Sequence, residues 1–268
     1  MPATPADQTS QSTPASSTPM EADEHRKMAE VESRLWWYRA LHRKILDTLL
    51  SLSLPESTPL LDAGCGTGGL LEVLSKAGFS NVSGFDISPT AAAICHERGF
   101  TIKTLGIQDI GRVYGANSFS AIISNDVLCY LTPQDIPGCL RNLHTLLRNE
   151  GYLLLNLPAY KAFSGIHDKS VGIVTRTSAS VIRQQLTAAG FRIMELHHWP
   201  FLLAPIIFLT RLKQRIALRI NQDCIIQSDI DLPSSVLNEL LYTLTTAEQG
   251  LGSIRFFGSS IFVLACKK

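Results

Sequence analysis

The stretch Leu60 to Leu74, LLDAGCGTGGLLEVL, constrains this chain more than any other. A short apolar run ends in Asp62. Glycines follow at 64, 66, 68 and 69, and a leucine-rich helical pattern begins. The apolar run suits a strand buried on both faces. The glycines open backbone angles closed to other residues and let a flat ligand lie against the main chain. Strand, glycine turn and helix together start a parallel α/β unit, in which ligands sit beyond the carboxyl ends of the strands.

The alternation continues. VSGFDIS, TIKTLG, FSAIISND, GYLLLNLP, RIMELHHW and SSIFVLACKK read as further strands, with helical patterns between them. The expected fold class is α/β, a doubly wound, mostly parallel seven-stranded sheet. Before it, Met28, Val31, Leu35, Tyr38, Leu41, Ile45 and Leu49 recur at helical spacing around Trp36 and Trp37, an expected helical lid over 25–55. Residues 1–24, rich in Ser, Thr, Pro, Ala and Gln, have little to bury and are expected to be a disordered tail. One domain is expected over 25–268, with a substrate-covering insertion inside 160–250.

Charge narrows the function. With 24 basic and 23 acidic residues the net charge is +1, which lacks the basic footprint of a nucleic-acid binder. The six cysteines show no C-x-x-C pair and no zinc spacing, so they read as reduced thiols of a cytoplasmic protein and no metal is expected. No secretory leader is evident, and no apolar run is long enough to span a bilayer.

Two kinds of nucleotide suit the glycine turn. Gly64, Gly66 and Gly69 fit the dinucleotide pattern G-x-G-x-x-G. Asp62, however, would repel a pyrophosphate at the helix N-terminus, where anions are otherwise favoured. A ligand carrying an ammonium and a sulfonium, and no phosphate, meets no such repulsion. Asp86, at the end of the next strand, stands where a carboxylate grips ribose hydroxyls.

LLDAGCGTGG and GFDIS resemble the first two motifs of the class I S-adenosylmethionine-dependent methyltransferases. The resemblance implies a Rossmann-like methyltransferase fold with S-adenosyl-L-methionine as cofactor. Gly64, Cys65, Gly66 and Gly68 would lie under its methionine and ribose, Asp62 would place its amino-acid end, and Asp86 with Ile87 would hold the nucleoside. LGIQDI resembles the segment bracketing adenine, with Asp109 on the ring's amino group. SFSAIISNDVLCYL resembles the fourth-strand motif, although Ser120 stands where an acid is usual. Asn125 and Asp126 would then face the cofactor, and Tyr130 the mouth of the substrate pocket. WWYRALH, LNLPAY, the pair His167-Asp168 and FGSSIFVLACKK resemble a less-characterised bacterial subgroup linked to glycan, lipid and small-molecule assembly. Thr175, Thr177 and Pro200 depart from its pattern on the substrate side.

Methyl transfer from a sulfonium asks the protein mainly for orientation and a dry site, with a base only where the acceptor must lose a proton. His167 with Asp168 is one candidate pair, set against a capped turn beside an exposed histidine. Tyr130 is a candidate substrate contact, set against a rim aromatic. His197-His198 lacks a third metal ligand. The stretch 199–220 turns from apolar to basic, which suits either an interfacial helix in peripheral contact with a membrane or a helix packed on the domain. The expected function is methyl transfer to a small-molecule or lipid-linked acceptor, on oxygen. The alternatives are an NAD(P)-dependent oxidoreductase and a non-catalytic cofactor-binding or membrane-peripheral partner protein.

Overall fold

The computed structural model describes residues 22–220, 231–249 and 256–268. The expected disordered tail falls almost wholly outside them. Its last residues, from Ala22, already belong to a helix in which Glu24 and His25 are buried.

Seven strands form one sheet in the order β3-β2-β1-β4-β5-β7-β6. They are β1 (Leu60–Ala63), β2 (Val82–Asp86), β3 (Lys103–Thr104), β4 (Phe119–Asn125), β5 (Leu147–Pro158), β6 (Phe191–Trp199) and β7 (Ser260–Lys267). The first five run parallel, and β7 lies antiparallel to both β5 and β6. Strand order reverses between β1 and β4, which puts a crevice beyond the carboxyl ends of these two strands.

Successive residues of the central strands feed two cores. Leu61, Ile122, Leu153, Leu155 and Val263 pack on one face against α6 (Ile136–Leu146) and α8 (Ala179–Ala188). Leu60, Ile123, Leu154, Phe262 and Leu264 pack on the other, against α2 (Trp36–Ser51) and α3 (Gly69–Lys76). Burial on both faces explains why these strands read as continuous apolar runs without alternation. The helix α4 (Pro89–Glu97) starts where Ser88 accepts a hydrogen bond from the Ala91 N–H, with Pro89 in the first turn. The short α5 (Ile110–Val113) follows β3.

The N-terminal helical stripe is two helices, α1 (Ala22–Val31) and α2, broken at 32–35. A residue far along the chain explains the break. Asn238, in α10 (Ser235–Ala247), accepts from the Trp36 N–H (2.9 Å) and donates to the Arg34 carbonyl (2.8 Å). It thereby satisfies backbone groups that a continuous helix would have paired internally. Between β5 and β6 lies the short α7 (Ile166–Ser170), and between β6 and β7 lie α9 (Ala204–Ile220) and α10. The stretch 199–220 is therefore not one element, since Trp199 closes β6.

Candidate active site

The crevice opens into a cavity of about 530 Å³, lined from the glycine turn, the ends of β2 and β4, the N-terminal helices, α7 and α9. The turn takes its form from backbone angles. Gly64 has φ +84° and Gly66 φ +52°, and a Cβ on Gly66 would stand 2.7 Å from the methyl of Met28 on α1. At Gly64 a Cβ would strike Val127. The main chain here is thus exposed toward the cavity and closed in by the lid.

Asp86 fixes the turn. Its carboxylate accepts from the Gly66 N–H (2.9 Å) and the Ser88 N–H (2.9 Å), and it faces the cavity with lone pairs still available. Asp62 lies deeper, 2% exposed, and its Oδ1 has no hydrogen-bond partner. Burial, with the nearby charges of Asp86 and Glu32, pushes its carboxyl up to about 8. The Oδ1 of Asn125, at the end of β4, is also buried without a partner. Two bare acceptor oxygens at one cavity wall are a costly arrangement unless a donor arrives.

Beside them Asp126 adopts φ +54°, a left-handed backbone that Asp tolerates better than most residues. Its two carboxylate oxygens accept from Asn156 Nδ2 at 3.0 and 2.9 Å. Asn156 in turn accepts from the Trp199 indole N–H (2.8 Å), and Trp199 stacks on Trp37 of α2 with ring centroids 4.6 Å apart. Burial raises the Asp126 carboxyl to about 7, against the opposing pull of the Asn156 bond and the Arg176 charge.

A second carboxylate closes the far side of the turn. Glu32, on the segment after α1, accepts from the Thr67 hydroxyl (2.6 Å) and pairs with Arg98, which also donates to the carbonyls of Thr67 (3.0 Å) and Ala29 (2.9 Å). A Cβ on Gly69, the first residue of α3, would collide with the Glu32 carboxylate. The chain thus places its own anion at the helix N-terminus, where a pyrophosphate would otherwise sit.

Of the residues singled out in the sequence, Asp62, Gly64, Cys65, Gly66, Asp86, Ile87, Asn125, Asp126, Tyr130 and His167 all line the cavity. Gly68 does not, and serves instead as the left-handed N-cap of α3. Asp109 lies outside the cavity lining; its exposed side chain pairs with Arg112 at 2.9 Å, three residues on, while Gln108 lines the cavity. Asp168 lies outside the cavity lining; its carboxylate is held by Arg176 Nε (2.5 Å) and Nη2 (2.8 Å), both side chains largely buried. Arg176 also donates to the Ala159 carbonyl (2.9 Å), tying the loop after α7 to the end of β5.

Sequence reasoning did not single out Glu32 or Gln108, and it met Arg176 only as the centre of the Thr175–Thr177 stretch. For Glu32 the local signal was the invasion of an apolar helical stripe by an acid. Among the described residues, no cluster of His, Cys, Asp or Glu could hold a metal ion, and His198 stacks on Tyr160 at 5.0 Å.

Residues 36–196 match the family described as a methyltransferase domain. A malonyl-[acyl-carrier protein] O-methyltransferase of Bacillus cereus is 31% identical over 138 residues, 48% of this chain and 50% of that protein. The chain matches no more than half the length of such curated relatives. Among solved structures, the magnesium protoporphyrin IX methyltransferase of Synechocystis with bound S-adenosylmethionine has a TM-score of 0.51 at 16% identity, covering 85% of this chain and 78% of that one. The [4+2]-cyclase SpnF has a TM-score of 0.54 at 17% identity, covering 87% and 83%. At these identities the structural likeness is one of fold.

Proposed function

The chain belongs to the class I S-adenosylmethionine-dependent methyltransferase family, and from that premise we propose that it transfers a methyl group from this cofactor to the oxygen of a small-molecule or lipid-linked acceptor. The observation that carries the reading is the pair of buried acceptor oxygens, Asp62 Oδ1 and Asn125 Oδ1, with no partner beside the glycine turn. They call for a cation with hydrogens to donate, and the amino-acid end of S-adenosylmethionine is one. A phosphate at this turn would meet the Glu32 carboxylate that already stands against the first residue of α3. That argues against the NAD(P) alternative.

The remaining cofactor roles follow from position. Asp86 would hold the ribose hydroxyls, while Ile87, Gly106 and Gln108 would border the adenine. When bound, the cofactor supplies a methyl group already activated on sulfur. The chain's part is then to orient the acceptor and exclude water. The acceptor side is apolar, with Leu35, Trp36, Leu131, Val171, Ile173 and Ile207 among its lining residues. That suits an acceptor with hydrocarbon character, and the Bacillus cereus relative is named for a carrier-linked acyl substrate.

Where the acceptor is a hydroxyl, its proton needs a destination. His167 and Tyr130 face the cavity, as does Asp126, whose carboxyl titrates near neutral pH. An acceptor carboxylate would need no base at all.

The cyclase among the structural neighbours favours one second reading, a cofactor-binding protein on this fold that does not transfer methyl groups. Calorimetric titration with S-adenosylhomocysteine and with NADH tests cofactor choice, and binding of NADH alone would overturn it. A radiolabelled methyl-transfer screen against lipid and aqueous extract fractions then tests turnover. Label in neither fraction, with the cofactor bound, would favour the second reading.

A further inference from the structure

Residues 125–127, where β4 ends, stand between the two ends of the cavity. On one side, Asn125 carries the bare Oδ1 of the cofactor end, and the Val127 side chain lies so close to Gly64 that a Cβ there would strike it. On the other side, Leu131 and Ile173 line the acceptor end. The loop holding Ile173 is tied down there, because the N–H groups of Val174 and Thr175 both donate to the Cys129 carbonyl (2.9 Å each). Asp126 lies between these two groups of residues and faces the cavity.

Asn156 grips Asp126 at two points. It is fully buried on β5, in register with Asn125. Its carbonyl accepts from the Asp126 N–H (2.9 Å), and its Nδ2 spans both carboxylate oxygens (3.0 and 2.9 Å). The orientation of the amide follows from Trp199. An indole N–H only donates, so Oδ1 of Asn156 must face it (2.8 Å), which leaves Nδ2 for Asp126. A single amide nitrogen covers one edge of the carboxylate. Each oxygen keeps a lone pair for the cavity.

The other carboxylates of the cavity are engaged differently. Glu32 pairs with Arg98, Asp86 holds two N–H groups of the turn, and Asp62 stands with its bare oxygen at the cofactor end. Asp126 has a neutral amide on its oxygens. The titratable and charged groups facing it are Tyr38 from α2, Cys129 and Tyr130 from the turn after β4, and Arg176, which donates to Asp168 and to the Ala159 carbonyl. Burial raises both phenols and the Cys129 thiol, so these three stay protonated at neutral pH and cannot take a proton. Burial also lifts the Asp126 carboxyl to about 7, a range in which it can be ionised before the reaction and hold a proton after it.

We propose that Asp126 takes the proton of a hydroxyl acceptor and that Asn156 is the residue that positions it. The O–H bond breaks toward the carboxylate as the oxygen gains its bond to the methyl carbon. The carbon–sulfur bond breaks at the same time, and its electron pair stays on sulfur as a neutral thioether. The proposal rests on the methyl-transfer reading and narrows it to an acceptor that arrives protonated, an alcohol or a phenol and not a carboxylate.

The test uses the full chain and two readouts. In protein carrying carbon-13 aspartate, one carboxyl carbon should titrate near pH 7 and be missing from Asp126→Asn. Asparagine tolerates the left-handed backbone at 126, so this variant should keep its unfolding temperature and its affinity for S-adenosylhomocysteine. Asn156→Ser removes the amide donor and should move the titration to higher pH. The second readout is methyl transfer from labelled S-adenosylmethionine to the extract fraction that takes up label. In wild type it should rise with pH through the value found by resonance. Asp126→Asn should lower it by roughly a hundredfold or more and lose the rise. In Asn156→Ser the rise should follow the shifted titration, which a merely structural role would not move. Transfer by Asp126→Asn at the wild-type rate would overturn the proposal alone, as would a carboxyl at 126 that titrates with ordinary carboxylates. So would equal losses of transfer and of S-adenosylhomocysteine affinity, which would make Asp126 a cofactor ligand. No transfer by wild type with the cofactor bound would overturn the methyl-transfer reading and this proposal with it.

Discussion

The Glu32 carboxylate meets the Thr67 hydroxyl at 2.6 Å, and through this contact the lid grips the very turn that shapes the cavity. Arg98, from the end of α4, completes the cluster on the other side. Glu32 is 5% exposed in its side chain and Arg98 22%, so the pair is largely out of water. Replacing Glu32 by Ala should destabilise the fold by about 2 kcal/mol, below the range for breaking a fully buried pair because Arg98 keeps some solvent. Urea unfolding measures it. A change within error would mean that the lid is held by its apolar contacts alone.

Asp62 sets a pH signature. Its folded-state value, near 8, lies above the ordinary 3.8, so the protonated form is the one the fold prefers. The stabilisation is complete below about 4 and is lost as pH rises through about 8. Asp126 acts in the same direction through about 7. The free protein should therefore melt at progressively lower temperature from pH 5 to pH 9.

The same residue predicts proton release. An ammonium brought beside Asp62 favours its ionised form. Binding of S-adenosylhomocysteine at pH 7 should then release roughly one proton. Calorimetry in two buffers of different ionisation enthalpy reads this directly. Asp62→Asn should abolish the buffer dependence, and its persistence would place the proton elsewhere.

Asp86→Ala removes an acceptor that holds Gly66 and Ser88 and faces the cavity. Affinity for S-adenosylhomocysteine should fall by about 2 kcal/mol, the scale of a lost hydrogen bond to a charged group. Unchanged affinity would remove Asp86 from the cofactor site.

Arg176→Ala should cost about 3 kcal/mol in unfolding free energy, because it strands the Asp168 carboxylate in a largely buried position. Arg176→Lys should recover little of it, since one ammonium cannot reproduce two parallel bonds together with the Ala159 contact. Full recovery by lysine would show that charge alone matters there.

The parts of this site that local pattern could reveal are those built from consecutive residues. The strand ending in Asp62, the turn through Gly64 and Gly66, and Asp86 at the next strand end are each fixed by a few neighbours. The parts that escaped depend on partners distant in sequence. Nothing near Trp36 announces that Asn238 will satisfy its N–H, and nothing near Asp126 announces Asn156 and Trp199. The placement of Asp109 outside the cavity lining has a related reason. The α/β pattern locates the loop after β3, but which of Gln108 and Asp109 turns inward is decided by the 3-10 turn there and by the Arg112 side chain. His167 and Asp168 were paired on adjacency, and nothing beside Asp168 announces its bond to Arg176 eight positions later.

The placement of β7 between β5 and β6 bears on how the protein can be made. During vectorial synthesis the segment for β6 emerges before its sheet neighbour β7 exists, while β1 to β4 already have theirs. The nucleotide half can settle early, but β6 must wait as an unpaired edge, a state in which strands are prone to stray association.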